Sequence, residues 1–84
     1  MSAEDDIQEV VELLKELKDD STVPKNVKIR IDTTISSLSD SSKPLSIRVN
    51  RALHELEEIC DDANMQAYTR TQIWNVVSLL EKAA

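Results

Sequence analysis

Apolar residues recur along this chain at three- and four-residue steps in four separate runs, with polar residues filling the intervals. Side chains at that spacing share one face of a helix, so each run predicts an amphipathic helix with a single buried stripe. Helices are expected near residues 3–20, 23–40, 43–62 and 65–82. The first stripe is Ile7, Val10, Val11, Leu14 and Leu17, and the second is Val23, Val27, Ile31, Ile35 and Leu38. Leu45, Val49, Ala52, Leu53, Leu56 and Ile59 make the third, with Cys60 at its edge. The fourth, Ile73, Val76, Val77 and Leu80, lies in a stretch from Asn64 to Lys82 that also holds Trp74 and Tyr68, the only residues of their kinds. Four one-sided helices joined by short turns predict an all-α, antiparallel, up-and-down four-helix bundle forming a single domain over residues 1–84. Val10, Leu14, Leu17, Val27, Ile31, Leu53, Leu56, Ile73, Val77 and Leu80 should form its core.

The polar residues between the stripes carry start and stop signals. Glu4, Asp5 and Asp6 fall in the first helical turn, where the helix dipole favours negative charge, and Ser2 is a candidate cap. Thr22, Ser42 and Asn64 are candidate caps of the later helices. Each is followed two places on by Pro24, Pro44 or Gln66, and six places on by Lys28, Arg48 or Arg70. Proline suits a first helical turn because its missing N–H would have no partner there. The polar run from Ser36 to Ser42 contains only Leu38 as an apolar member, so the second helix is expected to fray at its end.

Composition narrows the functions open to such a bundle. In 84 residues little room remains for an enzyme-sized cleft beside a full core. Glycine is absent, which excludes the glycine-rich loops that cradle phosphates. A net charge of −6 opposes general affinity for nucleic acid. One cysteine, Cys60, cannot form an internal disulfide and suits a reducing compartment. The acidic start does not resemble a targeting peptide, and no apolar run approaches the roughly twenty residues that span a bilayer. A cytoplasmic protein with no membrane contact is expected.

Thr-Val-Pro-Lys-Asn at 22–26, the Pro44-to-Arg48 segment, Asn64-Met65, and the run from Thr69-Arg70-Thr71 through Trp74-Asn75-Val76-Val77-Ser78 to Leu80-Glu81 resemble uncharacterised protein family 0147. The resemblance extends from Ile7 over nearly the whole chain; Gln66 departs from it, standing where the family pattern has proline. It implies a four-helix bundle of archaeal origin and brings no activity and no catalytic residues.

The residues that bear chemistry are few. His54, Glu58 and Asp61 share one helix face, but zinc prefers more nitrogen or sulfur donors, so a solvated pair between His54 and Glu58 is the expectation. Cys60 borders an apolar stripe, as an inert buried thiol would. No catalytic, metal-binding or cofactor-binding residue is implied, nor any small-molecule ligand, and the protein is expected not to be an enzyme. Charge is more informative. Residues 1–20 carry eight acids and two lysines, residues 21–54 six bases and two acids, and residues 55–63 five acids and no base. Pairing of the acidic first helix with the basic second and third is expected at the rim. Ile29 and Ile47 lie nearly opposite the stripes of their helices, within the basic segment, and Leu13 and Leu79 also fall outside theirs. Ile29, Ile47, Lys25, Lys28, Arg48 and Arg51 therefore form the candidate interaction surface of a helical module or scaffold for a protein partner or a homodimer. The alternative is a nucleic-acid-associated protein using the basic segment 25–51, a reading that lacks interleaved aromatic residues.

Overall fold

Each apolar run folds as one helix. The structure, a computed structural model, describes residues 3–62 and 64–83. These form α1 (Ala3–Asp19), α2 (Lys25–Ser39), α3 (Leu45–Cys60) and α4 (Ala67–Ala83), with no strand among the described residues. α1 packs against α2 and α4, and α3 packs against the same two helices, so all four stripes meet in one core. The molecule measures 33 × 21 × 20 Å. A 17-residue helix is about 26 Å long, so the long axis holds one helix and its turns, and each short axis two helices side by side.

The helix starts differ from expectation in a consistent way. α2, α3 and α4 each begin two residues later than their stripes suggest, because Pro24 and Pro44 sit at the N-cap in extended conformation rather than in the first turn. Proline also disfavours helical backbone in the residue before it, which holds Val23 and Lys43 outside the helix. Helical bonding starts at the proline carbonyls: Lys28 N–H donates to Pro24 O at 3.0 Å and Arg48 N–H to Pro44 O at 3.1 Å. Gln66 takes the same place before α4, its carbonyl accepting from Arg70 N–H at 3.0 Å. Thr22 and Ser42 accordingly do not cap these helices, and neither N-cap has a side-chain hydrogen bond. Ser2, the cap expected for α1, lies outside the described residues. The serine-rich end of α2 does not fray early but stays helical through Ser39.

Of the ten expected core residues, nine are buried and Leu53 is half-buried against the cluster. The centre of the α3 stripe runs through Val49, Ala52, Leu56 and Ile59, which leaves Leu53 on its flank. Ile7, Val11, Val23, Leu38, Cys60, Met65 and Val76 complete the cluster. Leu13 and Leu79, expected at the surface, pack half-buried against it. A helix buries a face wider than one narrow stripe, and flanking leucines cover its edges.

Candidate interaction surfaces

The turns explain the repeated pattern of polar residues. In each, an aspartate carboxylate folds the chain back: Asp20 Oδ1 accepts from Thr22 N–H at 2.9 Å, Asp40 Oδ1 from Ser42 N–H at 3.1 Å, and Asp62 Oδ1 from Asn64 N–H at 2.9 Å. The Thr22 and Ser42 hydroxyls donate to the same oxygens. These bonds hold all three carboxyls below the ordinary carboxylate value: chiefly the Thr22 backbone bond for Asp20, the Ser42 side-chain bond for Asp40 and the Asn64 backbone bond for Asp62. The basic residue of the next helix then reaches back. Arg48 Nε and Nη2 donate to Leu38 O, the first at 2.9 Å, and Arg70 donates from Nε to Cys60 O and from Nη2 to Asp62 O, each at 3.1 Å. The last carbonyls of a helix have no partner inside it, so both arginines satisfy groups that would otherwise need water.

Arg48 is thereby removed from the expected interaction surface. It is buried, and its Nη1 pairs with Glu4 at 2.9 Å. A guanidinium offers five donors in a flat fork, which suits it to a buried carbonyl. The expected charge pairing is met in part, by Glu4 of the acidic α1 with Arg48 of the basic α3. α1 does not lie beside α3, and its ion pair with α2 joins Lys18 of the acidic helix to Asp32 of the basic one at 3.0 Å. Arg30 links α2 to α3 through Glu55 at 2.9 Å and Glu58 at 2.6 Å, and these contacts, led by the bond to Glu55, raise its pKa.

Ile29 and Ile47 are exposed, at 60% and 45%. They do not form one apolar centre. Ile29 adjoins Arg30, which is tied to Glu58, whereas Ile47 lines a groove with Asp40 and Lys43 at the α2–α3 turn. Eleven residues of α3 separate those two levels, about 16 Å along the axis. Two smaller clusters result: Lys25 stands one turn from Ile29, and Arg51 one turn from Ile47. Lys25, Lys28 and Arg51 enter no ion pair within 4.0 Å among the described residues. Lys28 is near enough to Asp20 to help hold its carboxyl ionised.

Two aromatic side chains join the exposed apolar set, Tyr68 at 65% and Trp74 at 49%. Both fall off the stripe of Ile73, Val76, Val77 and Leu80, a helical offset present in the sequence though not assigned to the surface from it. Tyr68 lines a groove of about 310 Å³ between α1 and α4, with Leu13, Glu16, Leu17, Asp20, Gln72, Asn75 and Val76. Elsewhere the chemistry is quiet. His54 Nε2 lies 3.0 Å from Glu58 Oε1, the expected surface pair, and no group of three His, Cys, Asp or Glu side chains suited to a metal occurs among the described residues. Cys60 is buried, and desolvation pushes its thiol pKa up.

The described residues define a small all-α protein of four helices. The profile of the uncharacterised protein family UPF0147 matches residues 1–83, and the chain belongs to that family. A UPF0147 protein of Sulfurisphaera tokodaii is 40% identical over 89% of this chain and 84% of its own length. One from Thermococcus kodakarensis is 40% identical over 90% of this chain and 93% of its own length. The crystal structure of a protein of unknown function, MMP1188, superimposes with a TM-score of 0.87 at 36% identity, covering 92% of this chain and 88% of that one. None of these names assigns an activity.

Proposed function

We propose that the protein is a non-enzymatic interaction module, an antiparallel up-and-down bundle that presents its outer faces to a protein partner. The helix directions are supported by paired contacts: Asn26 bonds Asp62 at 2.8 Å, while Arg30, one turn further along α2, bonds Glu58, one turn earlier in α3. The observation that carries the interaction role is that four large apolar side chains, Ile29, Ile47, Tyr68 and Trp74, remain exposed after the core is filled. Such residues, aromatic ones above all, concentrate the binding energy of protein contacts. The unpaired Lys25, Lys28 and Arg51 favour the nucleic-acid reading, against the net charge of −6 and the burial of Arg48.

Site-specific photo-cross-linking in cells tests this role, with the probe at positions 29, 47, 68 and 74 and at exposed Glu9 as the control. Discrete protein adducts are expected at one or more of the four sites and absent at Glu9. Nuclease-sensitive adducts would transfer the role to nucleic acid, and no adduct at any of the four would refute it.

A further inference from the structure

The groove between α1 and α4 carries a charge pattern of its own. Its apolar lining is Leu13, Leu17 and Val76, of which Leu17 and Val76 belong to the core and Leu13 packs against it. Two carboxylates, Glu16 and Asp20, share the lining, and no cationic residue does. Asp20 spends Oδ1 on Thr22 and has Lys28 nearby, so part of its charge is already answered. Glu16 enters no ion pair within 4.0 Å among the described residues. Tyr68 stands largely exposed beside them, its hydroxyl accepting from Gln72 Nε2 at 2.7 Å, an i,i+4 bond that steadies both side chains.

We propose that this groove docks a segment of a partner protein that presents an aliphatic side chain beside a lysine or arginine. The inference rests on the proposed interaction role and names the partner's chemistry. An aliphatic group against Leu13, Leu17 and Val76 leaves water. A neighbouring lysine or arginine lays its methylene stem along the same apolar surface and carries its charge to Glu16. The Tyr68 ring face adds attraction for a cation within reach. An amphipathic helix laid in a groove meets these demands with anchors one turn apart. Nucleic acid does not, because its phosphates would face Glu16 and Asp20.

The test titrates an amphipathic helical peptide of leucine and lysine into the isotope-labelled protein and follows its amide resonances. A leucine–glutamate peptide and oligolysine are the comparison arms. The leucine–lysine peptide is expected to shift the amides of Leu13, Leu17, Tyr68 and Val76. Glu16→Lys and Tyr68→Ala should each weaken it by about ten-fold or more, and Glu9→Lys, on the outer face of α1, by less than about two-fold. Oligolysine, lacking the aliphatic group, should bind at least about ten-fold more weakly. Absence of binding, equal binding of the acidic peptide, equal loss with Glu9→Lys, or shifts spread along the acidic face of α1 would each overturn the proposal. So would peptide-free, concentration-dependent shifts of the same amides, which would give the groove to a second copy of this chain. Failure here with specific protein adducts at position 29 or 47 removes the groove alone; failure of both experiments removes the interaction role as well.

Discussion

Replacing Arg48 by alanine separates two accounts of a buried arginine, one in which it caps a helix and one in which it serves as half of an ion pair. The guanidinium makes two bonds to Leu38 O and one to Glu4, and its side chain is 8% exposed against 64% for Glu4. With one partner so exposed, the ion pair contributes only about 0–1 kcal/mol. Hydrogen bonds from a charged donor contribute about 1.5–3 kcal/mol, and the buried stem adds about 0.8 kcal/mol for each methylene removed from water. Arg48→Ala should therefore lower stability by about 3–5 kcal/mol, and Glu4→Gln by less than about 1 kcal/mol. Arg48→Lys should fall between them, since it keeps the charge and loses the fork. Urea denaturation followed by far-ultraviolet circular dichroism measures all three variants. If Glu4→Gln costs as much as Arg48→Ala, the carbonyl cap is not what holds Arg48. A loss below about 0.5 kcal/mol in Arg48→Ala would place it among ordinary surface residues.

Three further outcomes follow from other parts of the bundle. Asp20, Asp40 and Asp62 have folded pKa values below 3.8, so as pH falls through that value the unfolded chain takes up protons that the folded chain does not. Their contribution, full above the unfolded value, is lost as pH drops through the lower folded one; the urea midpoint should fall on acidification below about pH 4, and less steeply in an Asp20→Asn, Asp40→Asn, Asp62→Asn variant. Leu56→Ala or Leu80→Ala, at fully buried positions, should cost about 2–5 kcal/mol by the same denaturation assay, whereas Ile29→Glu with Ile47→Glu should stay within about 1 kcal/mol; unfolding of the isoleucine variant would assign those residues to the core.

The number of helices and most of the core were legible because burial imposes a period on the sequence, and Val10, Leu14, Ile31 and Leu80 obey it without competing signals. Leu53 was misjudged because periodicity locates a stripe but not its centre, which depends on where neighbouring helices lie. The turns were misjudged for another reason. Thr22 and Ser42 resemble caps by residue type, yet the proline two places on delays the helix and leaves them as donors to Asp20 and Asp40. Arg48 was the largest error on the candidate surface. A basic residue in a basic segment has the composition of a contact site, and only the backbone of α2 reveals an unsatisfied carbonyl within its reach. Ile29 and Ile47 were correctly expected to be exposed, but their separation depends on the register between α2 and α3, fixed by Arg30 with Glu55 and Glu58. No single helix encodes that register. The α1–α4 groove joins residues more than fifty positions apart, such as Leu13 and Tyr68, and periodicity within one helix carries no information about such a meeting.

Arg48 and Arg70 each reach a carbonyl ten positions earlier in the chain. During synthesis a helix of this protein therefore waits for its final fastening until the opening turn of the next one has emerged. Each turn is completed by residues made shortly after it, and contacts this local favour rapid folding. The chain can close its bends in the order in which they are made, from the amino end onward, the last of them fastened by Arg70 as α4 arrives to cover the open side of the core.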